Sequence, residues 1–171
     1  MAHDIPAWIN GALVPADKLD VHFKGLRHKA VSVFVMREGR TLLQRRALEK
    51  YHTPGLWANA CCTHPHWSED PRDCALRRLD EELGLRGLNP LHRGQVEYRA
   101  DVGGGMTEHE LVDIFVAEAG AGIEPLPNAE EVMDTLWLTL PELRARIAAE
   151  PESFTPWLRI YLAEHGELIL G

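Results

Sequence analysis

The chain has 171 residues, 45% hydrophobic and 26% charged, enough for one compact domain with a real core, and residues 1–171 are expected to form it. No apolar run approaches the roughly 18 residues of a membrane span, and the opening MAHDIPAWING lacks the basic and apolar regions of a signal peptide, so no membrane partner is expected. A net charge of −8 excludes a nucleic-acid surface, which needs a basic face to displace counterions, but leaves small anions open wherever cations cluster. The three cysteines are odd in number and Cys61 and Cys62 are adjacent, so reduced thiols in a cytoplasmic protein fit best.

Residues 1–28 read as irregular and polar, a segment held by something other than its own core. From Ala30 to Met36 the run AVSVFVM is β-branched and apolar; Glu38-Gly39 makes a turn and TLLQRR returns, which predicts a hairpin. Between Ser68 and Gly84 the spacing becomes helical. Ala75, Leu79 and Leu83 share a face, Asp70 or Ser68 caps, Pro71 suits the first turn and Gly84 ends it, predicting a helix over 71–83. VEYRADV and TEHELVDIFVAEA show a period of two on either side of Gly103 to Gly105, which predicts an antiparallel pair, and MDTLWL reads as a further strand. Thr139 with Glu142 forms a capping box for a helix through about Ala149, and Thr155 with Pro156 opens a last helix closed near Gly166. Strands and helices without regular alternation favour an α+β sandwich on a mixed sheet over a doubly wound one.

The predicted helix carries RRLDEELGL. Together with Thr63, five residues, Glu69, seven residues and Arg77, it resembles the Nudix box, G-x5-E-x7-R-E-U-x-E-E-x-G-U, in which U is a bulky aliphatic residue. Two positions depart: Thr63 stands for the first glycine and Arg78 for the glutamate after the arginine. Arg78 and Glu82 lie four apart, on the helix face where hydrolytic Nudix enzymes gather carboxylates around divalent ions. An arginine there removes a metal ligand and supplies a fork for phosphate. The plain alternative is a surface helix with ion pairs Arg77–Glu81 and Arg78–Glu82, which the long spacing back to Glu69 speaks against.

In EHELVD, Glu108 and Glu110 are two apart and share a strand face that Val112, Ile114 and Val116 continue, which turns that face inward. Two buried carboxylates side by side call for a metal or a shared proton. His22, His28 and His64 are the candidate nitrogen ligands. Three imidazoles with two carboxylates suit a six-coordinate divalent ion, Mn2+ or Mg2+, with Zn2+ also compatible. Zinc-finger spacing is absent from CCTH, and of two neighbouring cysteines on an extended segment only one can enter a site.

The pieces DKLDVHFKGLRHKAVSVF, LLQRRALEKYHTPGLWANACCTHP, RRLDEELG, VEYRAD, EHELVDIF and FTPW, in this order and separation, resemble the type I isopentenyl diphosphate isomerases over nearly the whole chain. The resemblance implies a Nudix-like α/β/α sandwich that moves a carbon–carbon double bond in a five-carbon diphosphate. It implies that His22, His28, His64, Glu108 and Glu110 bind a divalent metal, with Cys62 also counted among the metal-binding residues, and that Cys62 and Glu110 face each other across the substrate. Glu82 would help hold a Mg2+ that bridges to the diphosphate, and Lys18, Arg46, Lys50 and Arg78 would contact the diphosphate itself. Tyr98 would hydrogen-bond near the catalytic glutamate, and Trp157 would face the hydrocarbon. A monomer or weak dimer is expected. The competing reading is a Nudix hydrolase of a nucleoside diphosphate derivative, which needs neither Arg78 at the box nor a thiol opposite Glu110.

Overall fold

In the computed structural model, which describes residues 4–171, the chain opens with a hairpin of β1 (Asp4–Ile9) and β2 (Ala12–Asp17), followed by a short helix, α1 (Lys18–Lys24). The irregular segment expected over residues 1–28 is therefore ordered from Asp4 onward, and residues 1–3 lie outside the described residues. Asn10 and Gly11, at φ of 51° and 80°, supply the two left-handed residues that a tight strand-to-strand turn requires. Pro15 is tolerated because β2 is the outermost strand and pairs with β1 alone. Asp17 caps α1 by accepting from the Asp20 backbone N–H at 2.9 Å. Ile5, Ala7 and Val21 bury a small core of their own, with Ala16 and Leu26 packed against it.

The mixed sheet continues with β3 (Arg27–Arg37), β4 (Arg40–Arg46), β5 (Trp57–Asn59) and β6 (Cys61–Thr63). The helix α2 (Pro71–Leu83) precedes the long pair β7 (Leu91–Gly103) and β8 (Met106–Glu118), and β9 (Val132–Thr139) completes the sheet. β8 runs parallel to β3 and antiparallel to β7, and β9 pairs antiparallel with β4, so local hairpins are joined by long-range pairings. Both faces of β3 are buried. Ala30 and Phe34 join one apolar layer, while Val31, Val33 and Val35 join the other, as the strand period of two dictates.

α2 covers the second layer through Ala75, Leu79 and Leu83, each fully buried and contributing about 1.5–3 kcal/mol for the leucines. Asp70 caps it, accepting from the Arg72 and Asp73 backbone N–H groups. Gly84 ends it at φ 61°, where a β-carbon would come within 2.9 Å of Leu126 Cβ. The opposite layer is covered by α3 (Leu140–Ala149), α4 (Pro156–Glu164) and α5 (Gly166–Leu170), which contribute Leu143, Trp157, Leu158, Tyr161, Leu162 and Ile169. The last helix is thus two: α4 stops at Glu164, and Gly166 begins α5 instead of closing its predecessor. Helices on both faces of a mixed sheet make the α/β/α sandwich expected from the sequence. Among the described residues, no helix is long and apolar enough to cross a membrane.

Candidate active site

Strand register builds the site. On β3 the residues His28, Ala30, Ser32 and Phe34 share one face, and on β8 so do Glu108, Glu110, Val112 and Ile114. The parallel pairing sets His28 beside Glu110, and the antiparallel one sets Tyr98 beside Glu110 and Ala100 beside Glu108. The apolar layer therefore ends, at one edge, in carboxylates and imidazoles. His22 arrives from α1 and His64 from the residue after β6.

His22, His28, His64, Glu108 and Glu110 each offer one ligand atom, all within 4.8 Å of one another. The Nδ1–H groups of His22 and His28 are engaged outward, donating to the Lys18 carbonyl at 2.6 Å and the Leu26 carbonyl at 2.8 Å. That assignment leaves both Nε2 atoms turned to the carboxylates, where each donates when it carries a proton and offers a lone pair to a cation when it does not. Nε2 of His22 lies 3.2 Å from Glu108 Oε1, and those of His28 and His64 lie 3.1 and 2.8 Å from Glu110 Oε2. Glu108 Oε2 is buried with no well-formed hydrogen bond. Burial opposes the charged form of His28, but hydrogen bonds to Glu108 and Glu110 and their charge push it up to about 10. At His64, burial wins and lowers the imidazole. A buried cluster of two carboxylates and three inward nitrogens, with one carboxylate oxygen unsatisfied, fits a divalent cation.

Glu110 Oε1 is turned the other way and accepts from the Tyr98 hydroxyl at 2.7 Å. It lines a narrow cavity of about 30 Å³ together with Cys62, Tyr98 and Trp157. The Cys62 thiol donates to Asn59 Oδ1 at 2.9 Å and accepts from the Ser32 hydroxyl at 3.4 Å, which is itself 2.9 Å from Tyr161 Oη. Asn59 is locked because its amide nitrogen donates to the Val33 and Cys61 carbonyls. Burial pushes the Cys62 thiol up to about 12; the Ser32 bond works against that and the Glu110 charge with it, so it remains protonated at neutral pH. Cys61, on the opposite face of β6, donates instead to Glu82 Oε2 at 2.7 Å, in the layer under α2. Cys62 and Glu82 are not among the five clustered groups.

Lys18, Arg46, Lys50 and Arg78 come together around the same cavity. Lys18, Lys50 and Arg78 also border an adjoining pocket of about 240 Å³. Burial first, and then the charges of Lys50 and Arg78, pull the Lys18 ammonium down to about 8. Cations that destabilise one another in a half-buried pocket are a receptor for a multiply charged anion. Arg78 reaches Glu131 at 3.3 Å and Glu82 at 3.4 Å, and Lys50 reaches Glu131 at 2.5 Å. The Arg46 guanidinium lies 5.3 Å from the centre of the Trp157 ring. Of the candidate site residues, all but Glu82, which bonds Cys61 in the layer under α2, border this cavity or belong to the five-group cluster.

Sequence reading missed Ser32, Asn59, Tyr161, Glu131 and His52. Ser32 was legible in principle, because it shares the β3 face of His28. His52 lies in the loop KYHTPG, where no periodicity operates, yet its Nε2 sits 2.6 Å from Glu108 Oε1. Burial draws its imidazole down to about 4.

A sequence model of the NUDIX domain matches residues 26–158. An isopentenyl-diphosphate Delta-isomerase of Dinoroseobacter shibae is 65% identical over 98% of this chain and 95% of its own length. One of Rhodobacter capsulatus is 61% identical over 96% and 94%. In three dimensions the chain is similar to the crystal structure of DR0079 from Deinococcus radiodurans, with a TM-score of 0.75 and 18% identity over the full length of both, a likeness of fold. The Nudix frame is shared with proteins of low identity, whereas the identity to these isomerases is high over nearly the full length of both chains: the chain belongs to the type I isopentenyl-diphosphate Delta-isomerases of the Nudix superfamily.

Proposed function

We propose that this chain, as one isomerase domain over residues 1–171, interconverts isopentenyl and dimethylallyl diphosphate in isoprenoid biosynthesis. The reaction adds a proton to the terminal methylene of the alkene, forms a tertiary carbocation, and removes a proton from the neighbouring CH2. An unactivated alkene is a very weak base, so two proton-transfer groups must act where water cannot trap the cation. Cys62 and Glu110 are those groups. The observation that carries this reading is that a protonated thiol and a carboxylate from distant strands line one narrow, largely buried cavity.

Tyr98 holds Glu110 Oε1, the oxygen not bonded to His28 and His64, and Trp157 offers its ring to the developing cation, worth about 2 kcal/mol when desolvated. Lys18, Arg46, Lys50 and Arg78 grip the diphosphate, which stays intact and positions the alkene from a distance. His22, His28, His64, Glu108 and Glu110 would hold Mn2+ or Mg2+, with Zn2+ the third ion to test, and Glu82 would hold the Mg2+ that accompanies the diphosphate. A divalent ion supplies the positive charge that lets Glu108 and Glu110 stand side by side. The three free thiols support a reducing, cytoplasmic setting, and we read the protein as a monomer that dimerises weakly at most.

Hydrolysis of a nucleoside diphosphate derivative is the competing chemistry. Proton and phosphorus NMR of the protein with isopentenyl diphosphate and Mg2+ separates the two. Appearance of dimethylallyl diphosphate without released phosphate is expected; inactivity on this substrate together with cleavage of a nucleoside diphosphate derivative overturns the reading.

A further inference from the structure

His52 has no part in the chemistry described so far. Its side chain is 2% exposed, its Nε2 lies 2.6 Å from Glu108 Oε1, and that nitrogen forms no well-aligned hydrogen bond. At the other edge of the ring, Nδ1 lies 2.8 Å from the Thr53 hydroxyl oxygen. One arrangement of protons fits these distances best. Were Nδ1 the protonated nitrogen, Nε2 would press a lone pair against a carboxylate oxygen 2.6 Å away, with both side chains buried. The Thr53 hydroxyl therefore donates to Nδ1, and the imidazole proton sits on Nε2, facing Glu108.

The backbone adds an independent sign. Thr53 adopts φ 46°, a left-handed conformation costly for a β-branched residue and further disfavoured by Pro54 after it. Arg46 Nη2 donates to the His52 carbonyl at 3.1 Å, and the Trp157 ring meets the imidazole edge-on at 5.7 Å. Strain of this kind persists where its surroundings over-determine it, and it clusters at functional sites. Here the strained residue is the one that sets the His52 tautomer.

We propose that His52 is a positioning residue of the cation cluster: its Nε2, 2.6 Å from Glu108 Oε1 though off the hydrogen-bond axis, holds that oxygen by a close polar contact and leaves Oε2 turned toward His28 and His64, at 3.4 and 3.9 Å. This rests on reading the five-group cluster as a metal centre. Support from outside the ligand sphere is commonly worth 10- to 100-fold in metal affinity.

Mn2+ titration of the full chain by calorimetry, with thermal melts of each variant, tests it. His52→Ala is expected to bind Mn2+ about tenfold more weakly or worse. His52→Gln, whose amide nitrogen can donate from a similar reach, recovers most of that loss. Thr53→Gly relieves the left-handed strain and raises the melting temperature of the metal-free protein, yet weakens Mn2+ binding as Thr53→Ala does. If His52→Ala does not fold, the Gln and Thr53 variants decide. Wild-type affinity in the variants overturns the inference, as does a loss that Gln cannot repair accompanied by one fewer Mn2+-bound nitrogen in pulsed EPR, which would make His52 a ligand. Wild-type protein that binds no Mn2+ defeats the metal-centre reading itself.

Discussion

Replacing Tyr98 by Phe isolates one hydrogen bond in the proposed mechanism. Glu110 Oε2 is committed to His28 and His64, so Oε1 is the oxygen left for the substrate, and the Tyr98 hydroxyl is 2.7 Å from it with both residues buried. The substitution keeps the ring, which packs edge-on against Tyr161 with centroids 5.8 Å apart, so it leaves no cavity to confuse the result. A hydrogen bond to a charged group contributes about 1.5–3 kcal/mol. If that support is needed when Glu110 transfers a proton, kcat falls about tenfold to 150-fold, while KM, set mainly by the diphosphate grip, changes little. Initial rates of dimethylallyl diphosphate formation, followed by NMR beside a thermal melt, measure it. A folded Tyr98→Phe protein with kcat within about twofold of wild type refutes the role, and a change confined to KM moves Tyr98 to substrate binding.

Three further outcomes are expected. Cys62→Ala and Glu110→Gln each abolish turnover, whereas Cys61→Ala retains it at saturating Mg2+ and loses about 1–3 kcal/mol of stability, because buried Glu82 Oε2 loses its thiol donor; turnover and denaturant melts check both. Removing divalent ions with a chelator stops turnover and lowers the melting temperature, since an ion bound only by the folded chain stabilises it, and adding Mn2+ or Mg2+ back restores both. Acid unfolding reports on Glu69: its two bonds from Arg77, 2.8 and 2.9 Å, hold its carboxyl down to about 2, with burial opposing. A folded pKa below the unfolded one stabilises above about pH 4.5, and that contribution is lost as pH falls toward 2. Solvent screening of this partly exposed pair leaves about 1 kcal/mol, and Arg77→Ala should remove that part of the pH dependence in melts between pH 2 and 5, about the span of the shift.

Local rules explain which elements were legible. Asp70, Pro71 and Gly84 bound α2 because capping, a fixed φ and a left-handed stop act over a few residues, and Thr139 with Glu142 does the same for α3. The first hairpin was missed although Asn10-Gly11 is a strong turn signal, because ALVPAD, with a proline in it, hides its alternation. Gly166 reads as a stop in the sequence because glycine usually ends helices; in the fold it opens a short helix whose Ile169 is fully buried against the sheet.

By itself the sequence determined the period of each strand and helix, hence which side chains share a face: Glu108 with Glu110, Arg78 with Glu82, and Cys61 opposite to Cys62. Only the tertiary structure decided what those faces meet. His28 and Glu110 are 82 residues apart and touch because β8 pairs parallel to β3 in one register, and His22, 86 residues from Glu108, reaches it from α1 just before β3. A one-residue slip would turn both carboxylates to the other face of the sheet, and no local preference forbids it. The buried layers on the two sides of the sheet do, and they exist only once the whole chain has packed.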